Sequence, residues 1–549
     1  MDALKKLFVM AACVWMAATD AGAQVTKAMR KLQIAEYAIS KLYVDPVDEE
    51  KLVEAGIVAM LKQLDPHSTY ADAEEVKKMN EPLQGNFEGI GVQFQMMNDT
   101  LMVVQTVSDG PSEKVGIVAG DRIVAVNDSA IAGVNMKTEE IMRRLRGPKG
   151  TVVRLEVVRR GVDEELHFDV KRDKIPIYSV DASYMIRKEI GYVKINRFGA
   201  TTVDEFMKAF ETLQQSGMKD LILDLQGNGG GYLKAAVDLA NQFLKANELV
   251  VYTQGRTDRY NEFRARGNGK FKKGRLVVLI DEFTASASEI VSGAIQDWDR
   301  GIIVGRRSFG KGLVQRPVDL PDNSMIRLTI ARYYTPSGRC IQRPFKKALD
   351  NELADASKGA QGNMDAYNHD LIDRYNRGEM ASADSIHFPD SLKCFTNVMK
   401  RTVYGGGGIM PDFFVAVDTT RFTSYHRNLV AKGVLQKTIS NYVDCHREQL
   451  KQTYASFEPY EREFDIPQEM LEQLRKYGDE AKVTFDEEQY NRALPLIEMQ
   501  LKALIARDLW TITEYFRIMN EDNESVRKAV ELLETNEYDR MLRQPHNKA

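Results

Sequence analysis

At 549 residues the chain exceeds what one hydrophobic core organises, so roughly three or four domains are expected. Its composition is that of a globular protein, 43% hydrophobic and 28% charged, and a net charge of -4 offers no basic field to attract nucleic acid. Four cysteines without CxxC spacing and seven scattered histidines without HExxH support neither a disulfide framework nor metal catalysis, so no metal or other cofactor is expected.

The chain opens on Met1-Asp-Ala-Leu-Lys-Lys, then an apolar run from Leu7 to Ala18, then Ala21-Gly22-Ala23. That order is expected of a secretory signal peptide, residues 1–23, cleaved after Ala23. An apolar run of about 12 residues falls short of the about 20 that a bilayer core requires, so a membrane anchor is the lesser reading, as is lipid modification at Cys13. No later window is apolar for long enough to span, and export to the periplasm or cell envelope is the expectation.

Residues 24–83 carry Met29, Leu32, Ile34, Ala38, Ile39 and Leu42 near helical spacing, predicting a helical N-terminal region interrupted by the turn-forming Leu64-Asp-Pro-His-Ser-Thr-Tyr70. Over 84–174 the pattern switches to short β-branched runs: Gly91–Gln95, Leu101–Val107, Arg122–Asn127 and Thr151–Arg159, with one helix near Thr138–Leu145. From Ile190 apolar strands alternate with amphipathic helices, which predicts an α/β layered domain with a largely parallel sheet over 175–345, resumed at 405–419. Within it, Val203, Phe206, Met207, Phe210 and Leu213 share one helical face, and Thr202-Val-Asp-Glu205 has the form of a capping box. Residues 346–404 read as a polar insertion, and 420–549 as a charged helical C-terminal region.

Three segments point to chemistry. Ser286, in Asp281-Glu-Phe-Thr-Ala-Ser-Ala-Ser-Glu289, sits between a buried strand and an amphipathic helix, where free N–H groups and the helix dipole favour a developing oxyanion. Taken alone, a serine at this position is far more often a plain helix cap than a nucleophile. Lys311, in Phe309-Gly-Lys-Gly312, follows an apolar strand; a lysine turned inward there loses its charge readily and becomes a usable base for a serine hydroxyl. The run Gly229-Gly230-Gly231 after Asp224-Leu-Gln-Gly-Asn228 closes another strand and lacks the form of a phosphate loop, so its backbone N–H groups are candidates for holding a carbonyl oxygen.

Taken together, Phe283–Ile290, Gly305–Gln315 and Leu223–Gly231 resemble the carboxyl-terminal processing, or tail-specific, proteases, and the likeness runs from about residue 60 to 345 and again over 405–412. The resemblance implies a serine endopeptidase with a multidomain α/β fold: a crotonase-like layered protease core, a β-rich PDZ domain and helical flanking regions. It implies that Ser286 is the nucleophile, Lys311, 25 residues on, its general base, and Gln315 the group that positions the lysine. Ser286 and Lys311 are then expected within hydrogen-bond distance, with Gln315 on the far side of the amine. It also implies an oxyanion hole from the N–H groups of Ala287 and Gly230, although Gln226 and Gly229 stand where relatives carry arginine and proline. Asp297 matches a family aspartate but also suits a helix end, and is left out of the catalytic set. Gly89-Ile90-Gly91-Val92 matches the PDZ carboxylate loop, and Ala119–Asn127 its core strand. Protein or peptide C-terminal tails are therefore the expected partners, with self-association left open. The rival readings are a crotonase-like acyl-transfer enzyme and an inactive peptide-binding homologue.

Overall fold

The computed structural model describes residues 26–345, 369–418 and 420–543, so the expected signal peptide and the first part of the insertion lie outside them. The largest core surrounds a six-stranded sheet in the order Val180–Arg187, Ile190–Ile195, Asp220–Asp224, Leu276–Ile280, Ile302–Gly305 and Phe413–Phe414. Its first pair is antiparallel and every later pair parallel. The interior strands are continuous apolar runs because both faces are covered. On one face pack the helices Thr202–Gln215, Leu233–Ala240 and Ala287–Asp297, through Phe206, Phe210, Leu239, Ile290 and Val291. On the other lie the C-terminal helices Glu524–Glu534 and Glu537–Arg543, which bring Val526, Val530 and Leu533 against Tyr192, Ile222 and Leu279.

The predicted helix over 203–215 forms one residue earlier, and its expected capping box does not. Glu205 instead accepts hydrogen bonds from the N–H groups of Ser179 and Val180, at 2.7 and 3.0 Å, and so ties the helix to the start of the sheet. A second sheet, wholly antiparallel, joins Thr69–Ala71, Met325–Tyr334, Leu249–Gly255, Asn261–Arg264 and Leu313–Asp319. The N-terminal region thus donates its only described strand to the sheet that carries Gln315.

The β-rich module forms a sheet ordered Val92–Met97, Thr100–Thr106, Arg122–Val126, Val152–Val158 and Leu166–Lys171, with Val92–Met97 at the edge. It is held from two sides. Arg146 pairs with Glu81 of the helix Ala73–Gln84 at 2.6 Å. On the opposite side Gln95 meets Gln436, and Arg122 meets Asp444, on the long helix Val434–Thr453.

The described part of the insertion is anchored by buried arginines. Arg374, on the helix Asp370–Asn376, donates to the carbonyls of Arg307 and Ser308, at 2.6 and 3.3 Å, just before the lysine-bearing loop. Arg401 pairs with Asp299 and Asp412 at 2.7 and 2.5 Å. The predicted N-terminal helix forms as Lys27–Leu42, and its apolar stripe stays largely exposed among the described residues, with Met29 at 51% and Leu42 at 78% exposure.

Candidate active site

Ser286 stands at the end of the loop after the buried strand Leu276–Ile280, immediately before the helix Ala287–Asp297. Its backbone is strained, with φ 57° and ψ -114°, a left-handed conformation that L-residues rarely adopt. Three contacts hold it there. The Ser286 N–H donates to Glu289 Oε2 at 2.8 Å, the Ser286 carbonyl accepts from Tyr333 Oη at 3.1 Å, and Ala285 N–H is held by the Asn228 carbonyl at 2.9 Å. The Ala287 N–H lies in the first turn of the helix, where no intrahelical acceptor exists.

Glu289 is fully buried, and sequence reasoning missed its part, since its spacing from Ser286 reads as an ordinary cap. Its Oε2 also accepts from Lys311 N–H at 2.9 Å, while Oε1 accepts from Ser308 Oγ at 2.5 Å and Gly310 N–H at 2.7 Å. One carboxylate therefore joins the backbone of the serine to that of the lysine loop. Burial drives its pKa up to about 7, against the four donors that favour the ionised form. The signal that could have found it is a glutamate within a helix whose every other position is also buried.

Lys311 points into the protein. Burial, then the nearby positive charge of Arg327, lowers its amine to about 8, with Glu289 and Asp65 opposing. The amine donates to Gln315 Oε1 at 3.0 Å, as expected, but no hydrogen bond joins it to Ser286 Oγ among those of the described residues. Gln315 itself donates through Nε2 to the His67 carbonyl and accepts from Arg327 Nη2 at 3.0 Å.

The glycine run lies directly against the serine. A Cβ on Gly230, whose φ is +101°, would come within 2.8 Å of both Ser286 Cβ and the Ala285 carbonyl, and 3.0 Å of Ala287 N. Gly230 N–H is engaged by Asn228 Oδ1 at 2.9 Å, so it reaches a substrate oxygen only by sharing or leaving that partner. Gln226 accepts from Asn523 of the C-terminal region at 3.1 Å. Asp297 is buried in an ion pair with Arg339 at 2.7 Å and accepts from Ser337 N–H, a structural role at the helix end.

In the β-rich module, Gly89, Ile90, Gly91 and Val92 line one end of a groove of about 160 Å³ between the edge strand Val92–Met97 and the helix Thr138–Leu145. Phe87, Phe94, Met142 and Leu145 make its walls apolar, and Arg146 completes it. Among the described residues no helix is long and apolar enough to cross a membrane, and no group of three potential ligands is placed to hold a metal.

Comparison with known proteins accords with this geometry. Residues 189–347 match Peptidase family S41, and residues 102–159 match the PDZ domain. The chain is 39% identical over 304 residues to a carboxy-terminal-processing protease of Bartonella bacilliformis, covering 55% of this chain and 69% of that one. The chain belongs to the carboxy-terminal processing protease family. Two further members, CtpA and CtpB of Bacillus subtilis, are 34% and 33% identical over 330 and 341 residues, covering 60% and 62% of this chain and 70% of each relative. Residues 10–75 match the activating protease CtpB N-terminal domain, while 425–511 match a family of unknown function. The chain is accordingly a PDZ-containing peptidase of the carboxy-terminal processing type, with a mixed α/β fold flanked by helical regions.

Proposed function

We propose that this family member is an exported serine endopeptidase that cuts near the C-termini of proteins, with Ser286 as nucleophile and Lys311 as general base. The observation that carries this reading is Glu289, whose carboxylate binds the N–H of Ser286 and of Lys311 at once and so holds the two backbones together. Ser286 Oγ attacks the scissile carbonyl carbon as its proton passes to the Lys311 amine. The oxyanion forms beside Ala287 N–H and Gly230, and the ammonium then protonates the leaving amine. Water releases the acyl group by the same route in reverse. Burial suits Lys311 to this work, since an amine near 8 is substantially free base in mildly alkaline solution.

Gln315 accepts one hydrogen bond from the amine and so fixes the direction in which Lys311 presents its lone pair. Gly89 to Val92 receive the terminal carboxylate, and the peptide adds along Val92–Met97 with its last side chain among Phe94, Met142 and Leu145.

The test is hydrolysis of an unstructured protein with an apolar tail by the mature chain and its variants, with products identified by mass spectrometry. Ser286→Ala, Lys311→Ala and Lys311→Arg each lose activity by at least about 10³-fold while remaining folded, because the pair acts as one unit and arginine stays protonated. Retained activity in any of them contradicts the dyad.

A further inference from the structure

Lys311 depends on Gln315, and Gln315 is itself held by groups to which no role has been given. Its amide could in principle face either way, since oxygen and nitrogen differ only in hydrogen-bonding character. Here the choice is forced. On one side lies the His67 carbonyl, which only accepts; on the other lie Lys311 Nζ and Arg327 Nη2, both at 3.0 Å, and a guanidinium only donates. Reversing the amide would set its NH2 against two donors and its oxygen against a carbonyl.

Arg327 is unusual for a half-buried guanidinium. Among the described residues it forms no ion pair, and its other polar contact is Met79 Sδ at 3.8 Å. Its strand is fixed in register by the N-terminal turn, with Thr69 opposite Arg327. Asp65 organises that turn by accepting from His67 N–H at 2.9 Å, Ser68 N–H at 3.1 Å and Ser68 Oγ at 2.7 Å. Thr329, two residues beyond Arg327, donates its hydroxyl to Asp65 at 3.0 Å and its N–H to Ser68 Oγ at 3.1 Å. The turn and the strand are therefore one clamp around the glutamine.

We propose that Arg327, together with the His67 carbonyl, is a positioning residue of the proteolytic site, locking the Gln315 amide with its oxygen toward Lys311 and placing an unneutralised positive charge beside the amine. This rests on reading Lys311 as the general base. With one N–H committed to Gln315, the free-base amine keeps its lone pair for the serine proton, and the like charge of Arg327 opposes reprotonation. The groups facing Lys311 are Arg327 from its strand, Glu289 from the nucleophile helix, and Asp65 and His67 from the turn. His67 stays neutral at working pH, because burial and then Lys311 lower it to about 4.

The experiment is the pH profile of kcat/KM for the full mature chain on a fluorogenic unstructured peptide with a free apolar C-terminus. The wild type rises through a limb near 8. Arg327→Met removes the charge, so the limb moves up by about one pH unit, giving about tenfold slower cleavage at pH 7 and near recovery above the limb. Arg327→Lys keeps the charge and restores the limb. Should Arg327→Met unfold, Arg327→Gln drops the charge while keeping an amide donor and is read in the same way. A limb that stays in place, or a loss equal at every pH in a variant with native circular dichroism, overturns the inference. Lys311→Ala separates the two claims. If it remains active, the general-base reading itself falls; if it is dead while the Arg327→Met limb has not moved, only the positioning inference falls.

Discussion

Glu289 shows how a residue with an ordinary local explanation can carry the site. A carboxylate three residues after a serine at a helix start is a cap by every sequence criterion, and here it does reach back to the Ser286 N–H. Its other three donors come from Ser308, Gly310 and Lys311, about twenty residues away, a proximity that only the folded sheet creates. Four donors require an acceptor at both oxygens. Glu289→Gln turns one of them into a donor facing N–H groups, so it is expected to lower kcat by at least about tenfold and to cost about 1–3 kcal/mol of stability, read by kinetics and thermal unfolding. The pH sign follows from its raised pKa. Burial favours the protonated acid, so the stability this contributes is present below the ordinary carboxylate range and is lost as pH rises through about 7. That loss should disappear in Glu289→Gln.

At the scale of elements, the parallel strands were legible because burial on both faces leaves continuous apolar runs such as Leu276–Ile280. The antiparallel sheet was not. Its long strand, Met325–Tyr334, alternates apolar residues with Arg327, Thr329 and Arg332 and is only half-buried, so nothing in it announces that Arg327 and Gln315 meet. The identities of Ser286, Lys311 and Gln315 came from motif resemblance, whereas the clamp by His67 depends on a pairing across more than two hundred residues. The N-terminal helix was legible from the helical spacing of its apolar residues, although that stripe stays largely exposed among the described residues. The approach of the glycine run to the serine gives a prediction of its own. Gly230→Ala adds a methyl group that meets Ser286 Cβ and the Ala285 carbonyl at 2.8 Å, in a backbone conformation that alanine resists. It is expected to reduce kcat more than KM and to cost about 1–3 kcal/mol in thermal unfolding. Unchanged kinetics would detach the glycine run from catalysis.

Across the whole molecule, the β-rich module sits between the helix Ala73–Gln84, through Arg146 and Glu81, and the C-terminal helix Val434–Thr453, through Gln95 and Arg122. Its groove is therefore fixed in position relative to those two helices. Under the proposed recognition, amidating the terminus of a substrate peptide, or ending it in aspartate, slows cleavage markedly relative to the apolar free acid. Equal rates for acid and amide in the intact chain would make the module a structural lid and leave the dyad standing.

Covalent labelling reads directly whether Ser286 is a nucleophile activated by Lys311. The mature chain, with an apolar-tailed peptide present, is treated with a fluorophosphonate and the modified residue located by peptide mass spectrometry. One adduct is expected, on the peptide containing Ser286, rising in rate with pH through about 8 and absent from both Ser286→Ala and Lys311→Ala. Labelling that persists in Ser286→Ala, or that is as fast in Lys311→Ala as in the wild type, would contradict it.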